Sequence, residues 1–89
     1  MKKSFRKYNE ENPQIYTEFR KIAFQLIGRN YKRIGARQIL EVIRYHTMIS
    51  GNDQFKVNNN YSADYARLFE RDFPQYAGIF MKRLMKFQE

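Results

Sequence analysis

The chain of 89 residues has no cysteine and carries 17 Lys and Arg against 9 Asp and Glu, a net charge of +8 with a pI near 9.9. That length supports one domain, residues 1–89, and a domain so short buries only about 60–65% of the surface its unfolded chain exposes. The missing cysteines exclude disulfide frameworks, thiolate metal centres and a cysteine nucleophile, and the charge selects anionic partners, either a nucleic acid or an acidic protein.

Eight Phe and seven Tyr supply the large buried areas that a small core needs. The positive charge is uneven: residues 1–35 hold nine basic and three acidic side chains, +6 of the +8. The opening MKKSFRKYNEENPQ has charge and no apolar run, and residues 1–11 read as a flexible basic N-terminal arm. No later run approaches the length of a membrane span, so a cytoplasmic protein with no membrane partner is expected.

A first helix is expected over Pro13–Ile27. Asn12 can cap it, Pro13 suits its first position, and Ile15, Phe19, Ile22 and Leu26 recur at helical spacing. Gly28 is placed to close it in the left-handed conformation. The connector RNYKRIGAR follows, with Arg29, Lys32, Arg33 and Arg37 around Tyr31 and Ile34. A second helix is expected from about Ala36 to Ser50, with Ile39, Val42, Ile43, His46 and Ile49 on its apolar side and Gly51 closing it.

Phe55 and Val57 alternate around Lys56 and fit a brief strand within 54–57. Asn58, Asn59 and Asn60 then read as a turn, because Asn tolerates unusual backbone angles and bonds locally. The third helix is expected from Ser62, a good N-cap, to about Asp72, with Tyr65, Leu68, Phe69 and Phe73 on its apolar side and Tyr61 stapling against Ala66. Pro74 disfavours helical geometry at Phe73 and ends it. The final GIFMKRLMKFQE fits either a helix with Phe80, Leu84 and Phe87 on one face, or a strand whose Ile79 and Met81 pair beside residues 55–57.

Signals for catalysis are scarce. His46 is the single histidine and has no second His or Cys for a metal site; a proton-transfer role would need it in a cleft beside a carboxylate. The acids are scattered, and the glycines stand alone without a phosphate-cradling fingerprint. The chain is therefore expected to be no enzyme and to use no metal or cofactor.

The basic residues carry the functional expectation. In FRKY and RNYKR, Arg and Lys flank an aromatic, a composition that grips phosphates while stacking on bases. Arg29, Lys32, Arg33 and Arg37 repel one another without an acid among them, and an anionic partner would relieve that repulsion. Asn59 and Asn60, with Arg67 and Arg71 spaced four apart on the third helix, are candidates for base edges, as in a helix-turn-helix or winged-helix module. Asp64, Glu70 and Asp72 on the same helix would repel phosphate. A second surface for a protein partner is the Phe80, Met81, Met85 and Phe87 tail.

The run GARQILEVIRYHTMISGNDQFKVNNNYSADYARLFERDFPQYAGIF, residues 35–80, resembles a family of small uncharacterised proteins encoded by bacterial phages and prophages, and FKVNNNYSADYARLF is its most distinctive part. KYNEENPQIYTEF near the start has the same look. Members of that family tend to end in a basic, Arg-rich tail, where this chain has IFMKRLMKFQE, so a tail contact to nucleic acid is not carried over. The resemblance implies a bacterial cytoplasm and a phage context, in which DNA-binding regulators and small protein inhibitors both occur.

The combined expectation is a mainly α, compact domain of three to four helices, with a short β pair and a winged-helix-like arrangement. Its expected role is non-catalytic nucleic-acid binding, DNA included, through a basic surface. The alternative is a module or inhibitor that binds an acidic host or phage protein.

Overall fold

A computed structural model of the chain describes residues 2–51 and 57–81. Its elements in chain order are α1 (Lys3–Glu11), α2 (Pro13–Gly28), α3 (Ala36–Ser50), a 3-10 turn (Asn59–Tyr61), α4 (Ser62–Asp72) and a second 3-10 turn (Pro74–Tyr76). The three helices expected from periodicity are α2, α3 and α4, and their bounds agree within a residue. The mainly helical class is as expected, with four α-helices among the described residues.

The expected arm over residues 1–11 is instead α1. Phe5 and Tyr8 lie one helical turn apart, and Phe5 is only 1% exposed. Its ring packs edge-on against Tyr65 at 4.8 Å and tilts against Tyr61 at 5.5 Å. Local signals oppose this helix, because Lys3, Arg6 and Lys7 sit toward its N-terminus and Glu10 and Glu11 toward its C-terminus, the reverse of what the helix dipole favours. Tertiary burial of Phe5 outweighs them.

Pro13 separates α1 from α2 by forcing Asn12 out of helical geometry, to φ −133°. Asn12 does not cap α2 with its side chain; its Nδ2 and its backbone N–H both donate back to the Tyr8 carbonyl, at 3.0 and 2.9 Å. At the other end of α2 the left-handed residue is Asn30 (φ 68°), not Gly28. Gly28 stays in the helix, and the Arg29, Asn30 and Tyr31 N–H groups donate to Leu26 and Ile27 carbonyls. Gly51 closes α3 in the left-handed region, as expected.

The core lies where α2, α3 and α4 meet. Phe19 on α2 is its hub, stacked on Tyr65 and on Phe80, each at 5.4 Å between centroids. Phe69 on α4 continues the layer to Phe24 (5.3 Å), Phe73 (4.9 Å) and Phe80 (5.5 Å). From α3 come Ala36, Ile39, Leu40 and Ile43. Val42, His46 and Ile49, expected on that apolar side, are exposed, since the buried stripe of α3 follows Ala36, Ile39, Leu40 and Ile43 on the adjoining side of the helix.

Among the described residues, strand pairing is a single parallel bridge between Ile34 and Phe80. The expected partner of the 79–81 segment was residues 55–57; of these Val57 has no strand geometry and the others lie outside the described residues, as do Leu84, Met85 and Phe87. The described residues contain no β-hairpin, so the wing of a winged helix has no counterpart among them. Phe80 is buried core rather than part of a free apolar tail, and the Glu70 carboxylate accepts its backbone N–H at 3.3 Å.

Candidate functional site

The connector from α2 to α3 is pinned at both ends. Behind it, Tyr31 N–H donates to the Leu26 carbonyl at 3.2 Å; ahead, Ile34 N–H donates to the Ile79 carbonyl at 3.0 Å and its own carbonyl accepts from Met81 N–H at 2.9 Å. On and beside this anchored stretch Arg29, Lys32, Arg33 and Arg37 are all exposed, and Tyr31 is 54% exposed. None of the four cations makes an ion pair among the described residues. Arg37 lies in the first turn of α3, where the helix dipole disfavours a cation.

Where the connector passes the segment after Pro74, the two enclose an open groove of about 410 Å³. Asn30, Tyr31 and Lys32 form one wall and Gln75, Tyr76 and Gly78 the other, over Ile27 and Ile79. Tyr76 is half-buried and held by ring contacts to Phe24 at 6.0 Å and Phe69 at 6.4 Å. Gly78 has φ +86° and nothing within 4 Å of where a Cβ would stand, so the loop turns there and leaves the groove open. Asn30, Gln75 and Tyr76 had no signal in the sequence, because their juxtaposition with the connector depends on the Ile34–Phe80 bridge.

The candidates on α4 belong to a different neighbourhood. Arg67 lies 3.8 Å from the buried carboxylate of Asp64, which Lys2, just before α1, approaches at 3.8 Å, and Arg71 lies 3.9 Å from Asp72. Their charge is thus partly compensated within the fold. Asn60 is exposed, but its backbone N–H donates to Asn58 Oδ1 at 2.9 Å, and Asn59 lies in the 3-10 turn. Asn58 N–H in turn donates to the Tyr8 hydroxyl at 3.0 Å, so the asparagine run first of all ties the entry of α4 to α1. The N-cap position of α4 falls to Tyr61 rather than Ser62, and the Tyr61 ring packs on Phe5 and Tyr8.

FRKY and RNYKR therefore differ in kind. The aromatics of the first, Phe5 and Tyr8, are used inside the fold, and burial raises the Tyr8 phenol above its ordinary value against the lowering effect of the Asn58 N–H. The aromatic of the second, Tyr31, stands at the surface.

His46 lines a second, shallow cleft of about 340 Å³ between α2 and α3, which Glu18 and Gln14 also line. Histidine and carboxylate share the cleft without an ion pair or hydrogen bond between them. The two hydroxyls there are turned into the helix: Thr47 donates to the Arg44 carbonyl at 2.7 Å and Ser50 to the Thr47 carbonyl at 3.2 Å. Among the described residues no group of three or more His, Asp or Glu is arranged to hold a metal ion, and no helix is long and apolar enough to cross a membrane.

The outward face of α3 is unusually apolar for an exposed helix, with Val42 at 40%, Tyr45 at 60%, Met48 at 61% and Ile49 at 82%. Gln38 and Glu41 fall in the same sector of the helix, and Arg37 and Arg44 lie along one edge of it. No protein-family model, curated protein or solved structure compared with this chain matches it.

Proposed function

We propose that the protein is a non-catalytic nucleic-acid-binding protein whose contact surface is the connector between α2 and α3. The observation that carries this reading is the set of four exposed cations, Arg29, Lys32, Arg33 and Arg37, without an ion pair among the described residues, in and beside a connector that also exposes Tyr31 and whose backbone is fixed at both ends. Cations held this way neutralise phosphates and release counterions, and a neighbouring aromatic adds stacking. Arg67, Arg71, Asn59 and Asn60 are secondary in this reading, since the α4 arginines already face Asp64 and Asp72. The setting that goes with it is the bacterial cytoplasm of the phage proteins the chain resembles. The experiment is fluorescence anisotropy with single- and double-stranded DNA and RNA at low salt; no detectable binding to any of them ends the proposal.

A second reading has its own observation. The exposed Val42, Tyr45, Met48 and Ile49 face, with Arg37 and Arg44 along one edge, suits an acidic protein that presents an apolar helix. A pull-down from nuclease-treated lysate separates the two: this reading requires an acidic protein that persists after nuclease and is lost with Tyr45→Ser and Ile49→Ser.

A further inference from the structure

We infer that the groove between the connector and the segment after Pro74 receives an unpaired nucleotide base, so that the preferred ligand is single-stranded nucleic acid. This rests on the nucleic-acid reading above and specifies its site and ligand class.

Size and lining agree. At about 410 Å³ the groove lies at the small end of ligand sites and has room for one splayed base. Tyr31 and Tyr76 offer ring surface, on which any base can stack. Asn30 and Gln75 bring side-chain amides, the groups that pair bidentately with a base edge. Lys32 stands on the same wall, and Arg29 and Arg33 flank it in the chain, where they can follow the phosphates on either side of the inserted base.

The groove is also preformed. Tyr76 is held by Phe24 and Phe69, the connector by the Ile34–Phe80 bridge, and the turn at Asn30 by its left-handed backbone. A site already in place at both walls loses little entropy when it is filled. The duplex alternative has weaker support. Major-groove reading needs an exposed helix or ribbon with free cations at its leading end, whereas α4 has Asp64 in its first turn and its arginines lie beside Asp64 and Asp72.

The test uses the full chain and labelled oligonucleotides of equal length: a DNA strand, an RNA strand, a DNA strand that is abasic throughout, and a DNA duplex. The expected result is that strands with bases bind on the order of tenfold tighter than the abasic strand. Tyr31→Ala and Gln75→Ala should remove most of that advantage while leaving the dependence on salt unchanged, and both positions are exposed, so circular dichroism should stay that of the parent. Tighter binding of either the RNA or the DNA strand supports the site, and their ratio names its natural source. Equal affinity for base-bearing and abasic strands, or a preference for the duplex, overturns the groove assignment and leaves phosphate binding by the connector standing. Absence of binding to every probe overturns the nucleic-acid reading itself.

Discussion

Ile34 and Phe80 form a parallel backbone bridge across 46 positions of sequence, and through it the connector and the chain after α4 become the two walls of one groove. Phe80 also fills the core, stacked on Phe19 and edge-on to Phe69. Phe80→Ala should therefore cost about 3–5 kcal/mol of stability, read by urea unfolding, as for other buried aromatics. A loss below about 1 kcal/mol would mean that this segment is not docked against the core as described. Phe80→Leu, which keeps apolar volume, should cost less.

The connector cations and the α4 cations should behave differently in a salt titration. Each of Arg29→Ala, Lys32→Ala and Arg33→Ala should reduce the slope of log affinity against log salt by about 0.7–0.9, one phosphate contact apiece. Arg67→Ala should leave that slope nearly unchanged, because Arg67 faces the Asp64 carboxylate at 3.8 Å. The reverse ranking would move the contact surface to α4.

Within the asparagine run, Asn58 and Asn60 have separable roles. Asn58 Oδ1 accepts the Asn60 N–H, and its backbone N–H reaches the Tyr8 hydroxyl. Asn58→Ala should cost about 1 kcal/mol through the lost turn bond. Asn60→Ala, at an exposed side chain, should stay within about 0.5 kcal/mol of the parent. Thermal melts of the two variants check this, and equal melting temperatures would contradict the turn assignment.

Alkaline pH should destabilise the fold through Tyr8, Tyr16 and Tyr65. Burial is the main cause that raises Tyr8, Tyr16 and Tyr65 above the ordinary tyrosine value of 10.0, and at Tyr16 the bond from its hydroxyl to Asp72 Oδ2, 2.7 Å, raises it further. Because the folded values exceed the unfolded ones, their contribution is complete below about pH 10 and is lost as pH rises through the folded values. Denaturant midpoints should thus fall steadily above about pH 10.

Tyr65 allows a sharper version of the same measurement. Its hydroxyl oxygen is buried without a hydrogen-bond partner among the described residues. Tyr65→Phe removes that unpaired group and keeps the ring that packs on Phe5 and Phe19. At pH 7 it should be neutral or stabilising by about 1 kcal/mol, and its alkaline loss should be smaller than that of the parent. A destabilisation above about 1 kcal/mol at pH 7 would show that the hydroxyl has a partner in solution.

The sequence by itself determined α2, α3 and α4, because each carries a strong local signature: Pro13 at the start of α2, Gly51 after α3, Pro74 after α4, and apolar residues at helical spacing throughout. It also singled out the connector cations, whose exposure follows from charge alone. Only the tertiary structure decided the rest. α1 forms against its own dipole because Phe5 finds Tyr65 and Tyr61, an energy with no trace in the local residues. The faces of α3 could not be told apart by periodicity, since Ile39 and Ile43 alternate with Val42 and Ile49 and burial depends on which side meets α2 and α4. The groove, finally, joins Asn30 and Tyr31 to Gln75 and Tyr76 through one long-range bridge, and such a pairing is chosen by packing of the whole core rather than by any stretch of it.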